Sequence, residues 1–262
     1  MNKASFHHIH LNVTDIEATI SFYQKFFGAK HIKYRDSSDA LFTERSFLLM
    51  DQMEIVPPTH LGTCLWHIGW SGVDGPSEYA WRLKEGIEVH TPINPLGDAH
   101  WMYFLGPDKE VVEVFTGNRN HTFEHIHLLA SDVDETTEWF ETYLGLVPEF
   151  KKAQPWGNGL FKWNKLFVDN INIMINGKPK EERTWYPKNG FKSTYGTTFD
   201  HIGFSFRNIY PVYDKMQSRS VAIIKDVKLD TVHGLKSFFV QGPDGLGVEI
   251  VEEKPIPSGI WQ

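Results

Sequence analysis

Phe6-His7-His8-Ile9-His10-Leu11-Asn12-Val13-Thr14-Asp15 opens the patterned part of the chain, and Phe123-Glu124-His125-Ile126-His127-Leu128-Leu129-Ala130-Ser131-Asp132 repeats it. One offset of 117 residues superposes His8 on His125, His10 on His127, Asp15 on Asp132, Phe22 on Trp139 and Gly28 on Gly145. Each copy reads as a strand, an acidic helix start, an amphipathic helix and a glycine stop. So many matches at one offset point to duplication.

A second pair of echoes lies between these copies. Leu65-Trp66-His67-Ile68-Gly69-Trp70 answers to Phe199-Asp200-His201-Ile202-Gly203-Phe204, each a short strand, with helices to follow over Pro76 to Glu85 and Tyr210 to Arg219. Gly106-Pro107-Asp108 and Gly242-Pro243-Asp244 then punctuate strand pairs that end in Val111 to Phe115 and Val248 to Val251. Four units therefore begin near Phe6, Leu65, Phe123 and Phe199, each a strand, a short helix and about three further strands. In the first unit these are Ala40 to Thr43, Ser46 to Met50 and Gln52 to Val56; in the third, Gly159 to Lys162, Lys165 to Val168 and Ile171 to Ile175. Gly177 through Thr198 is an aperiodic insertion expected to form a lid, a rim loop or an oligomer contact. Thr116 to Thr122 is the expected boundary between a first paired-module domain, 1–117, and a second, 123–262. It is too short for an independent flexible tether, so the two halves are expected to pack closely. Lys254 to Gln262 reads as a surface tail.

Strand parity places His8 and His10 on one face with His7 on the other, and puts His125 and His127 on one face of the copy. His67, Glu113, His201 and Glu249 stand at matching points of the repeated strands. A glutamate inside Val111-Val112-Glu113-Val114-Phe115 would cost several kcal/mol to bury without a cation or basic partner, a cost of order 2–7 kcal/mol or more. Two imidazoles and a carboxylate suit a divalent metal with open positions: Fe(II), Mn(II), Ni(II) or Zn(II). The two candidate triads are His8/His67/Glu113 and His125/His201/Glu249.

Composition sets the bounds. The 262 residues suggest two moderate domains at about 150 residues each, and 41% hydrophobic with 23% charged residues is a globular composition. A net charge of -7 without a Lys/Arg block argues against nucleic acid. The single cysteine, Cys64, excludes an intrachain disulfide framework and multi-cysteine metal sites. No signal-like or membrane-spanning apolar run is evident, so a cytoplasmic protein without membrane association is the expectation.

These motifs resemble the vicinal-oxygen-chelate superfamily, which includes glyoxalase I, extradiol dioxygenases, fosfomycin-resistance enzymes and bleomycin-binding proteins. The resemblance covers Phe6 to about Glu253 and implies an α+β fold of four βαβββ modules paired into two curved mixed-sheet cavity domains. It assigns His8 and His125 to the opening-strand ligand, His67 and His201 to the partner-module ligand, and Glu113 and Glu249 to the final-strand ligand. A minority of the enzymes it resembles pair the first module with the fourth, which would join His8 to His201 and Glu249 and leave His67, Glu113 and His125 together; the short 116–122 link favours adjacent pairs. The glyoxalase branch adds a carboxylate from the opening module's last strand, which Glu54 would supply in the first half; Asn170 to Ile175 supplies none in the third module. The two-His-one-Glu pattern leans toward the dioxygenases, with Fe(II) favoured. The family's tyrosine ten residues before the ligand glutamate is matched by Tyr103, but Phe239 stands in the other half.

Around these ligands, His10, His127, His100 and His233 are acid/base candidates and Tyr103 a stabiliser of an oxygen intermediate. His7 reads as structural or exposed, and His31, His60, His90 and His121 as surface or loop residues. Trp66, Trp101, Trp156, Trp163 and Trp185 lie near rims or metal-bearing strands, and Gly69 and Gly203 would either leave room above a metal or serve tight sheet packing. The favoured function is a metal-dependent dioxygenase for a catecholic or other vicinal-oxygen small molecule. The competing functions are a metal-dependent isomerase or lyase, with Glu54, His10 or His127 as base, and a small-molecule binding or resistance protein. Homodimerisation fits the superfamily.

Overall fold

The computed structural model describes residues 3–253 except 170, so the ending from Lys254 and the residue Asn170 lie outside the described residues. The first module comprises β1 (Ser5–Val13), α1 (Ile16–Phe27), β2 (Lys30–Tyr34), β3 (Ser38–Thr43) and β4 (Ser46–Gln52). The second has β5 (Leu65–Ser71), α2 (Gly75–Lys84), β6 (Glu88–Leu96), β7 (Ala99–Leu105) and β8 (Val111–Phe115). The third has β9 (Phe123–Ala130), α3 (Val133–Leu144), β10 (Val147–Pro148), β11 (Gln154–Trp156), β12 (Phe161–Val168) and β13 (Ile171–Gly177). The fourth has β14 (Phe199–Phe206), α4 (Tyr210–Ser218), β15 (Ile223–Asp230), β16 (Leu235–Gln241) and β17 (Gly247–Glu252).

The duplicated helix signals work as the sequence implies. Asp15 accepts the Ala18 N–H, and Asp132 accepts those of Asp134 and Glu135, so each carboxylate satisfies amides that the first turn leaves open. Gly28 and Gly145 end these helices at φ 67° and 68°, where a Cβ is disfavoured. The first module departs from expectation. Gln52 to Val56 does not continue as a strand: β4 stops at Gln52, ahead of Pro57-Pro58, and Ile55 and Val56 are exposed. The missing strand is β2, whose polar Lys30–Tyr34 run forms a sheet edge and carries no apolar periodicity.

Strand order corrects the expected pairing of adjacent modules. One sheet runs β15-β16-β17-β14-β1-β4-β3-β2 and the other β10-β12-β13-β9-β5-β8-β7-β6. Module one therefore shares a sheet with module four, and module two with module three, so 1–117 is not a paired-module domain. The short link between β8 and β9 was the wrong guide. It spans one intervening strand, β5, within a single sheet, whereas the longer segments 53–64 and 178–198 carry the chain between sheets.

Helices α1 and α3 fill the space between the sheets. Tyr23 and Phe27 of α1 pack on Trp70 of β5, and Phe140 of α3 meets Phe204 of β14. Each such buried side chain contributes about 1.5–3 kcal/mol. Two polar latches repeat across this interface: Thr14 donates from its N–H and hydroxyl to Asp108, and Ser131 does the same to Asp244. The Gly-Pro-Asp turns thus hold one sheet's helix start against the other sheet. Among the described residues, no helix is long and apolar enough to cross a membrane.

Candidate metal centres

Two antiparallel strand pairs, β1/β14 and β5/β9, form the middle of the two sheets. His10 stands opposite His201 and His8 opposite Gly203; in the other pair His127 stands opposite His67 and His125 opposite Gly69. Both pairs are broken twice by an extra residue. The residues skipped are His7, Asp200, Trp66 and Glu124, each directly before one of the four ligand histidines. A β-bulge bends the strand and re-aims the bulged side chain, so strict alternation fails there.

Glu113 enters the β5/β9 site from β8, opposite Gly69. Its Oε2 lies 2.8 Å from His67 Nε2 and 2.9 Å from His125 Nε2, and the two imidazole nitrogens are 3.4 Å apart. Donors about 2.1 Å from an octahedral ion stand about 3.0 Å from their cis neighbours, so the three atoms fit the spacing of three adjacent ligands. Burial works against a charged imidazole at His125, yet Glu113 and Glu124 outweigh it and lift its pKa to about 10. Burial would raise Glu113, but hydrogen bonds from His125 and His67 hold it well below the usual carboxylate range. Burial lowers His67 and His127, leaving both neutral. The metal-free cluster is therefore an imidazolium–carboxylate pair that must release a proton to take a cation. His127 completes a group whose ligand atoms lie within 4.8 Å of one another, and its buried Nε2 has no hydrogen-bond partner.

Above this cluster opens a cavity of about 640 Å³ with aromatic walls. All five tryptophans singled out in the sequence line it, and Trp185 of the long insertion stacks on Trp66 at 5.1 Å. The insertion is thus both a crossover between sheets and a rim of the cavity. Tyr103, opposite Glu113 on β7, places its ring 4.9 Å from that of His67. Burial, reinforced by the Glu113 charge, raises the Tyr103 pKa far above the ordinary phenol value.

The β1/β14 site repeats the donors. Glu249 Oε2 lies 3.3 Å from His8 Nε2 and 3.4 Å from His201 Nε2, with 3.2 Å between the two nitrogens. Burial takes His8 down to about 3 despite Glu249, whereas Asp200 and Glu249 overcome burial to lift His201 to about 9. His10 stacks on His201 at 4.7 Å with its Nε2 3.3 Å from Asp51. The cavity is smaller, about 390 Å³, and richer in charge, with Asp51, Asp200, Asp230 and Lys225 among its lining residues. Phe239 occupies the place of Tyr103, facing His201 at 5.1 Å.

The structure thus brings the candidate donors together as the alternative pairing groups them: His8/His201/Glu249 and His67/His125/Glu113. Several expectations need correction. His100 lies on the face of β7 away from Trp101 and Tyr103, packed where a Cβ on Gly75 would meet it at 2.7 Å. His233 borders the β1/β14 cavity, but its ring nitrogens are engaged by Asp230 at 2.5 Å and Ser38 at 3.0 Å. Glu54 is exposed beyond the end of β4; Asp51 is the carboxylate that the strand supplies. In β13 the positions beside His125 and His127 hold Asn172 and Met174, neither a carboxylate. His7 is fully buried, as is His60 against Phe199, and His90 lines the aromatic cavity.

Gly69 and Gly203 do not leave a void: a Cβ on either would fall 2.1 Å from an imidazole carbon of His125 or His8. The ligand ring occupies the space that a side chain would need. Gly69→Ala is expected to displace His125 and weaken metal binding at that centre about 10–100-fold, as loss of ligand orientation does. Far-UV circular dichroism should be unchanged while metal titration shows the loss; unchanged affinity would contradict this packing.

Two repeats of the chain, residues 5–114 and 122–250, match the Glyoxalase/Bleomycin resistance protein/Dioxygenase superfamily, and the chain belongs to it. Glyoxalase I from Zea mays superposes with a TM-score of 0.77 at 15% identity, over 96% of this chain and 93% of that one. A protein from Bacillus subtilis subsp. subtilis str. 168, provisionally named a dioxygenase, gives 0.66 at 13% identity over 96% and 86%. At these identities the likeness is one of fold. No protein of curated function matches the sequence.

Proposed function

We propose that the chain is a metal-dependent enzyme whose working site is the β5/β9 cavity, and that its reaction is oxygen-dependent ring cleavage of a catecholic substrate. The observation that carries this reading is the convergence of His67, His125 and Glu113 beneath an aromatic cavity, with no carboxylate from β13 as a fourth donor. A divalent metal held by these three donors, Fe(II) in this reading, would have positions for two adjacent substrate oxygens and would supply electrons to dioxygen.

The protein's own groups suit that substrate. Trp66, Trp101 and Trp185 offer flat apolar faces to an aromatic ring and exclude water. His127 is neutral, and its free Nε2 can accept the proton that a catechol hydroxyl gives up on binding. Tyr103 stays protonated and can donate a hydrogen bond to a developing oxyanion. In the β1/β14 cavity Phe239 stands in the place of Tyr103, and no tryptophan is among the lining residues.

The test is oxygen uptake by Fe(II)-loaded protein given catechol and bulkier aryl-substituted catechols. Stoichiometric uptake with ring-opened product, lost in His127→Phe, is the expected result. Turnover of a vicinal-oxygen substrate without oxygen would replace the reading with isomerase or lyase chemistry. Tight binding by metal-free protein would replace it with a binding role.

A further inference from the structure

The four bulges fall two to each centre, but their residues differ in kind and decide how each candidate ligand imidazole is held. At three of them the bulged side chain backs the Nδ1 of the following histidine. Asp200 meets His201 Nδ1 at 2.5 Å, and Glu124 meets His125 Nδ1 at 3.1 Å. His7 meets His8 through an Nδ1–Nδ1 contact of 2.7 Å, while its own Nε2 lies 2.8 Å from Glu253, which Arg35 also binds. A carboxylate accepts only, so His7 Nε2 donates to Glu253 and His7 Nδ1 accepts from His8. His8 then carries its proton on Nδ1, leaving Nε2 as a lone pair facing Glu249 and His201.

The fourth bulge is Trp66, which cannot accept a proton at all. His67 Nδ1 is accordingly buried without a partner. When His67 offers its Nε2 lone pair, the N–H on Nδ1 must stay unsatisfied, which penalises that ligation. In exchange, Trp66 forms a wall of the aromatic cavity with Trp185. Both imidazoles of the β1/β14 centre are held in orientation by a backing group at Nδ1; only one of the β5/β9 centre is.

We infer that the two centres bind divalent metal with unequal strength, the His8/His201/Glu249 centre being the tighter, with His7, Glu253 and Asp200 as its positioning residues. The inference goes beyond the proposed enzyme function, since it concerns a second metal site in the other sheet. An outer partner of this kind is worth about 10–100-fold in metal affinity, and one such partner separates the two centres.

Titrating metal-free full-length protein with Co(II), followed by the visible ligand-field bands and equilibrium dialysis, tests it. Two classes of site are expected, about 10–100-fold apart. Glu249→Gln should remove the tighter class and Glu113→Gln the weaker. Glu253→Gln and Asp200→Asn should each weaken the tighter class about 10–100-fold and leave the weaker one in place. Should either variant fold poorly, the other still reads the same class, and Trp66→His supplies a converse by offering His67 an acceptor and tightening the weaker class. Equal affinities, loss of the tighter class in Glu113→Gln, or an unmoved tighter class in both backing variants would overturn the inference. A single equivalent that vanishes only in Glu113→Gln would overturn it while leaving the proposed function standing; no binding at all would remove both.

Discussion

Glu113→Gln is expected to abolish turnover and release one metal equivalent per chain, while Glu249→Gln releases one equivalent and leaves turnover in place. Loss of an outer partner already costs about 10–100-fold in affinity, so loss of the charged ligand should cost more than about 100-fold. The amide keeps the shape of Glu113 but removes the charge that both imidazoles face. The fold should survive the change, because His125 retains Glu124 as acceptor and His67 is neutral at this site. Elemental analysis after dialysis, together with oxygen uptake, reads both effects. Activity that persists in Glu113→Gln but disappears in Glu249→Gln would move the reaction to the β1/β14 cavity.

The module plan was legible because duplication writes it twice: helix caps, glycine stops and Gly-Pro-Asp turns recur at matching positions, and each is a local signal. Module pairing is not local. A seven-residue link between β8 and β9 is compatible with either arrangement until the strand β5 is known to lie between them. The six candidate donor positions stood out for the same reason as the modules, but which of them converge depended on that pairing. Alternation assigned His7 to the wrong side because a bulge inserts it into the ladder. The acidic residues directly before His125 and His201 were a readable hint of bulged carboxylates backing those rings. His100 failed for an ordinary reason: it has the opposite parity to Tyr103 on one uninterrupted strand, a conflict the sequence already contained.

A buried carboxyl away from both centres makes stability depend on pH with the reverse of the usual carboxylate sign. Glu110, wholly buried in the turn region before β8, accepts hydrogen bonds from the Tyr23 hydroxyl and the Asp108 N–H, each at 3.0 Å. Tyr23 belongs to α1 of module one, so this contact crosses between the sheets beside the Thr14–Asp108 latch. In the duplicate contact the corresponding residues are Phe140 and Leu246, both apolar and buried. Burial lifts Glu110 from 4.5 to about 7, with the Tyr23 and Asp108 hydrogen bonds opposing the shift. Between those values the folded chain holds a proton that the unfolded chain has released, so stability falls as pH rises from about 4.5 to about 7 and stays reduced above it. The displacement corresponds to about 3 kcal/mol at neutral pH. Glu110→Gln has no proton to lose and keeps an oxygen for Tyr23. Its amide nitrogen faces the Asp108 N–H and costs a loss that does not vary with pH, but between pH 4.5 and pH 8 its stability should rise relative to the parent by about 3 kcal/mol, a change from which the titration of every other group cancels. Urea unfolding of both proteins across this range measures it. Parallel pH profiles would show that Glu110 is ionised in the folded chain, and that the Tyr23 hydroxyl and the turn amide stabilise a charge rather than a neutral acid.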